Sequence, residues 1–213
     1  GDLGGTHSYA RRINERGQII GQSEAEDGAN IVFLWEKGVM TIPEPRDFGG
    51  GSSDAGDINN RGQVVGNSLD EAREQRPFLW YKGMMYNLGT LGGPNAYAFR
   101  INERGQVLGQ SQYAPDTDAQ HAFLWYRGVM TDLGTLGGAW SEATDLNQRG
   151  QVVGWSYTAD GVQHAFLWYK AIMIDLGTLE PGGWSIATDI NEDGQIVGYG
   201  SIDGWTHAIL WRK

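Results

Sequence analysis

The chain repeats one unit five times. An Asn preceded by Ile or Leu recurs at Asn14, Asn59, Asn102, Asn147 and Asn191, at separations of 45, 43, 45 and 44 residues. The Trp closing a (Phe/Ile)-Leu-Trp run recurs at Trp35, Trp80, Trp125, Trp168 and Trp211, spaced by 45, 45, 43 and 43. The 213 residues must therefore fold as five stacked copies of one small structure. A period in the forties with short strand-like segments belongs to the β-propeller class of repeats.

Each unit offers four candidate strands. The first ends at the Asn and runs into a turn reading NERG, NNRG, NERG, NQRG or NEDG. The Asn side chain can bond backbone two residues on, and the Gly supplies a positive φ. A second, small-residue strand carries a Gly at 21, 66, 109, 154 and 198, which predicts close approach of another backbone. A third, Ala-Phe-Leu-Trp or a variant of it, has the residue types of a packed pleated surface. After Lys-Gly or Arg-Gly a fourth is expected to run through Met to Leu-Gly-Thr-Leu; copy four departs with Ala171 in place of that Gly.

No helical period interrupts this pattern. The expectation is an all-β, five-bladed β-propeller with four antiparallel strands per blade. The order of segments resembles a WD-type blade. The single domain divides near residues 6–50, 51–93, 94–138, 139–183 and 184–213. An open β-solenoid of the same period and a sandwich are the alternatives. Residues 1–5, GDLGG, match GTLGG at 134–138, while the chain ends after Trp211-Arg212-Lys213, just before the fourth strand of copy five. The N-terminal segment is therefore expected to complete the last blade. A longer parent array, or pairing between chains at the incomplete blade, competes with that reading.

At the His-Ala-Phe-Leu-Trp runs of 121–125 and 164–168, and the Leu-Gly-Thr-Leu-Gly-Gly runs of 88–93 and 133–138, the chain resembles the HAF repeat family of probable extracellular repeat proteins. The likeness spans all five copies. It weakens in copy one, where Ile31-Val32 replaces His-Ala and Ile42-Pro43-Glu44-Pro45 interrupts the fourth strand, and at Arg76-Pro77 in copy two. The resemblance implies a repeat fold and an extracellular or cell-envelope location, and it carries over no catalytic residue.

A formal charge of −10 and a pI near 4.8 argue against nucleic acid or an anionic membrane as partner and leave neutral or cationic ligands. There is no Cys, hence no disulfide framework or thiolate metal site. The first residues lack the basic and apolar regions of a signal peptide. Nine Trp, nine Tyr and six Phe supply bulky packing.

Just before the Ile or Leu of the first strand stand Arg12, Asp57, Arg100, Asp145 and Asp189. In a ring these would form an axial charge ring of mostly opposite neighbours, pairing blade to blade, with Asp145 and Asp189 the one like-charged pair. That pair could bind a cation or share a proton. Asp189, Asn191, Asp193 and Gly194 imitate half a calcium loop, but Gly200 stands where the bidentate Glu belongs, and the stretch reads as a turn. His121, His164 and His207 occupy equivalent positions a blade apart, too far to share one zinc ion, and read as structural. No metal and no cofactor is expected.

The segment before the first strand varies most against the constant frame: His7, Ser52, Asn95, Trp140 and Trp184. A constant scaffold with variable tips suits recognition. Trp140 and Trp184 are expected to flank a shallow site with Glu142, Trp155, Tyr199 and Trp205, where aromatic faces beside carboxylates fit sugars or a cationic group. The alternative is that they pad the gap between blades. The leading expectation is a non-catalytic extracellular binding module for carbohydrate or protein, monomeric if the ring closes. A glycosidase using two of Asp57, Glu142, Asp145 and Asp189, or a purely structural repeat, is second.

Overall fold

The computed structural model describes residues 1–212, all-β throughout. Repeat one contains β1 (Gly4–Ile13), β2 (Ile19–Ala25), β3 (Asn30–Glu36) and β4 (Val39–Thr41); repeat two contains β5 (Gly49–Ile58), β6 (Val64–Asp70), β7 (Gln75–Tyr81) and β8 (Met84–Asn87). Repeat three follows with β9 (Ala96–Ile101), β10 (Val107–Gln112), β11 (Gln120–Tyr126) and β12 (Val129–Asp132), and repeat four with β13 (Gly137–Leu146), β14 (Val152–Thr158), β15 (Gln163–Tyr169) and β16 (Ile172–Asp175). Repeat five has β17 (Ser185–Ile190), β18 (Ile196–Ile202) and β19 (Trp205–Trp211). Neighbouring strands within a repeat pair antiparallel in sequence order. A single parallel bridge, Gln120 to Trp140, joins repeats three and four, so the sheets hold 4, 4, 8 and 3 strands.

Local chemistry sets both hairpins. At the first, Asn102 Oδ1 accepts from the N–H groups of Arg104 and Gln106, each at 3.0 Å, and Gly105 takes φ 81°. At the second, Arg127 and Gly128 both have positive φ, 50° and 87°, the twist-matched geometry of a two-residue loop. In repeat four Ala171 must adopt φ 62°. The strand Gly is also explained. A Cβ on Gly109 would overlap the carbonyl oxygen of Tyr97 and the ring of Phe123, where a bulge brings β9 against β10.

Hydrophobic packing lies between repeats. Successive strand residues point to opposite faces, so Val64 joins Ile20, Val32, Ile58 and Phe78 at the first junction while Val65 joins Leu79, Ala98, Ile101 and Val107 at the second. Val152 and Val153 divide likewise between the third and fourth. Both faces of an inner sheet are thus apolar.

The stack is open, and this corrects the expected five-bladed propeller. Consecutive repeats pack on one another, and no packing of comparable extent joins repeat five to repeat one among the described residues. Ile13 is 66% exposed where its counterparts Ile58, Ile101, Leu146 and Ile190 are 5–7% exposed, and Val197 is 44% exposed where Val65 and Val153 are fully buried. A closed ring would cover both. The repeat pattern dictates how one sheet packs on the next; it does not dictate that the fifth returns to the first. The condition attached to a monomer, ring closure, is therefore not met.

The N-terminal segment likewise does not complete the last repeat. Gly4 pairs with Ala25 and Leu3 N donates to Ser23 Oγ at 3.0 Å, both within repeat one. The fourth strands stop early, and the Gly-Gly that follows opens the next first strand: Gly49 pairs with Asp70 and Gly137 with Thr158, with φ 99° and 107°. GDLGG is thus the lead-in to β1.

Asn102 Nδ2 also donates to Asn147 O of the next repeat at 3.1 Å. Asn102→Ala is expected to cost about 3 kcal/mol, since it strands several buried polar groups, and Asn191→Ala about 1 kcal/mol, because Asn191 is exposed and its side chain bonds only within its own turn. Urea unfolding in dilute solution would rank them, and equal losses would contradict the inter-repeat role. Ala171→Gly should add about 1 kcal/mol by relieving the left-handed Ala, read in the same assay.

Candidate functional site

The first strand stands at one end of the antiparallel strand order of every repeat, so the five charged positions ahead of each Ile or Leu share that end of their repeats. Three of them, Arg100, Asp145 and Asp189, come together with Thr144 and Thr188 around a cleft of about 390 Å³. Asp57 and Arg12 do not. Asp57 Oδ2 accepts from Ile101 N at 3.1 Å, and Arg12 sits on the exposed face of repeat one with Nη1 donating to Arg11 O. Among the described residues none of the five takes part in an ion pair. The expected blade-to-blade ion pairing is replaced by carboxylate-to-backbone bonding: Asp145 Oδ2 accepts from Ile190 N at 3.1 Å, as Asp57 does from Ile101. The side chain reaches the next repeat's N–H before it reaches the next repeat's charge.

Burial, reinforced by a direct hydrogen bond to Asp189 and by its charge, pushes the Asp145 carboxyl up to about 6 against the opposing N–H bonds of Ile190 and Leu146. The Asp145 carboxyl therefore holds a proton in mildly acidic solution. No group of three or more His, Asp or Glu side chains among the described residues is placed to hold a metal ion.

The aromatic candidates divide into two sets. Glu142 lies opposite Trp155 across β13 and β14, and burial raises the Glu142 carboxyl. By repeat equivalence Trp155 stands where Asn67 stands, and Asn67 Oδ1 accepts from Ala98 N of the following repeat at 2.8 Å. Trp155 and Glu142 thus belong to the junction of repeats four and five, whereas Trp140 bridges Gln120 of repeat three, as its counterparts Ser52 and Asn95 bond Asn30 and Gln75 of their preceding repeats. The Trp155 ring meets Tyr157 edge-on at 5.5 Å. Tyr199 occupies the same position in repeat five, the last of the described repeats. It is exposed, and Trp184 packs edge-on against it at 5.8 Å. Trp205 is 74% exposed. Trp140 and Trp184 are hence one repeat apart and no aromatic contact joins them among the described residues. The segment they belong to is strand in repeats one, two and four, because the Gly-Gly starts pairing early. In repeats three and five Pro94 and Pro181 stand in the lead-in, and pairing starts only at Ala96 and Ser185.

Around Asp54 and Asn67, the counterparts of Glu142 and Trp155 in repeat two, the surface is polar. Gln22, Asn30, Ser52, Asp54, Asn67 and Gln75 line a cleft of about 100 Å³. Burial raises the Asp54 carboxyl despite the hydrogen bond from Asn67. This cleft was not predicted, although the alternation Gln22, Asn67, Gln110, Trp155, Tyr199 after each strand Gly was there to be read. A groove of about 500 Å³ between repeats one and two was also missed; Arg16, Arg61, Lys82, Trp80 and Tyr81 line it beside Ile42, where the fourth strand is interrupted.

His121 and His164 are bonded through Nδ1 to Asp132 and Asp175 at 2.9 and 2.8 Å. Burial acts to raise the Asp132 carboxyl, but the bonds from His121 and from Gly134 N–H hold it below its ordinary value. Each His thus ties a third strand to its fourth. His207, in repeat five, is exposed.

No family model and no curated protein matches the chain.

A raised Asp145 means the folded state binds the extra proton. The corresponding stability is present below the ordinary carboxylate value of 3.8 and is lost as pH rises through about 6. Asp189→Asn is expected to lower the Asp145 midpoint without restoring it fully, because burial remains, and to flatten unfolding free energy across that window. Carboxyl NMR titration with denaturation at a series of pH values reads both; an unchanged midpoint would disprove the coupling.

Proposed function

We propose that the chain is a non-catalytic, exported binding module whose ligand is a neutral carbohydrate, held along the variable positions at the mouths of the repeat junctions. The observation that carries this reading is a single structural position that faces the next repeat and changes character while the frame around it does not: Asp54 with Asn67 at one junction, Glu142 with Trp155 at another. Carboxylate and amide groups bond hydroxyls, and aromatic rings cover the apolar faces of sugars. Export rests on the resemblance to HAF repeats alone.

The geometry gives a glycosidase little support. Two-carboxylate glycoside hydrolysis needs the carboxyl groups about 5 Å or more apart, whereas Asp145 and Asp189 are near enough for Asp189 to raise the Asp145 carboxyl directly. Glu142 lies at a junction mouth with Trp155 opposite it.

An array of neutral oligosaccharides, followed by titration calorimetry on the best binder, tests the proposal. A Trp140→Ala, Trp155→Ala double variant should lose roughly tenfold or more in affinity, a change of about 1.4 kcal/mol. Unchanged affinity would remove these positions from the site, and an array without binders would sink the carbohydrate reading.

A further inference from the structure

Four junctions inside the chain are built from the same bonds in the same register. The turn Asn of each repeat donates from Nδ2 to the turn Asn carbonyl of the next: Asn14 to Asn59 at 2.9 Å, Asn59 to Asn102 at 3.0 Å, Asn102 to Asn147 and Asn147 to Asn191 at 3.1 Å. The following residue donates its N–H to the next repeat's side chain: Glu15 to Asn60, Asn60 to Glu103, Glu103 to Gln148, Gln148 to Glu192. The third-strand N–H groups of Val32, Ala122 and Ala165 donate to Ser53, Ser141 and Ser185. At the second junction Pro77 has no N–H to give, and the matching residue is Ala96.

The two ends of the stack hold the unused halves of this junction. On repeat five, the Asn191 amide and Glu192 N–H stand where every other repeat donates, Ala208 N–H where repeats one, three and four donate, and the Asp189 carboxylate where Asp57 and Asp145 accept. On repeat one, Asn14 O, Glu15, Ser8 and Ile13 N–H stand where the receiving half stands. The apolar surfaces match as well. Val197 and Leu210 are each 44% exposed on repeat five, and repeat one offers a hollow of about 270 Å³ lined by Ala10, Arg11, Arg12, Ile13 and Ile19. The charges at the two faces differ in sign: Arg11 and Arg12 line the hollow on repeat one, whereas Asp189 stands beside Val197 and Leu210 on repeat five, with Arg212 in the same cleft.

We propose that the free face of repeat five binds the free face of repeat one of a second copy of this chain, head to tail, forming a fifth junction of the kind that joins consecutive repeats. Val197 enters the hollow as Ile20 enters the corresponding place against Ile58 and Ala55. Asn191 donates to Asn14 O of the second copy, Asp189 accepts from its Ile13 N–H, and Ala208 N–H donates to its Ser8. Because the two faces differ, the contact is heterologous and yields a head-to-tail ring or chain rather than a symmetric face-to-face pair. The inference rests on the packing of the repeats and is independent of the carbohydrate reading.

Sedimentation velocity over a concentration series tests it. The unmodified chain should self-associate. Ile13→Glu, which sets a carboxylate against Asp189, and Val197→Lys, which sets an ammonium against Arg11 and Arg12, should each remain monomeric alone. Each keeps one intact face, so an equimolar mixture should form a 1:1 pair and nothing larger. Circular dichroism checks folding, and Leu210→Lys replaces Val197→Lys if that variant loses its β signal. A wild-type chain that stays monomeric at every concentration, a single variant that still self-associates, or a mixture that forms no pair would each overturn the proposal.

Discussion

The turn Asn is the interaction on which the stack depends. Its side chain does two things at once: Oδ1 closes its own hairpin by accepting two N–H groups, and Nδ2 crosses to the carbonyl of the next turn. No other uncharged side chain of that length offers an acceptor and a donor in one plane. The bond that shapes a repeat therefore also fixes its register on its neighbour. Asn59, Asn102 and Asn147 are buried at 2–4% exposure, where leaving either half unpaired would be costly. Each junction then places one apolar residue of the second strand on either side, so a sheet too small to bury a core alone shares two.

Much of this was legible. The period, the two hairpins, the strand Gly and the third-strand Trp follow from residue types at fixed spacing, and the structure places strands and turns there. Closure was not legible. An open stack and a ring use identical junctions between neighbours, and they differ only in the small rotation from one sheet to the next, which no single residue encodes. The match between GDLGG and GTLGG was real but its meaning was inverted. Both lead into a first strand, as the positive φ of Gly4 and Gly137 and their pairing to Ala25 and Thr158 show.

The candidate site was legible by position and misread by grouping. Trp140 and Trp184 stand out in the sequence because they interrupt a variable column, and proximity in a list suggests proximity in space. Strand geometry separates them: the residue after the strand Gly faces the following repeat, whereas the column lies against the preceding one, as the bonds of Ser52 to Asn30 O and of Gln75 N–H to Asn95 and the bridge of Trp140 to Gln120 show, so Trp140 and Trp184 stand one junction apart. The charged column was misread for a related reason. Asp57 and Asp145 were matched by sign with Arg12 and Arg100, but a short carboxylate meets the N–H of the next first strand before any guanidinium.

Pro77 and Ala96 show how tightly the junction chemistry is written. Seen along the chain they are two unrelated departures, one from a His-Ala pattern and one from a recurring Ser. Across the junction they are partners: a residue without an N–H faces a residue without a hydroxyl, and neither leaves a buried group unsatisfied. The other junctions with a donor at that place keep the Ser. Repeat one also keeps it, at Ser8, and repeat five keeps an N–H donor at Ala208. Both ends of the stack therefore carry the junction's polar partners on surfaces where no other described residue uses them. Exposed Ile13 and Val197 beside those partners make the same point in apolar terms, since a face meant for water gains nothing from either.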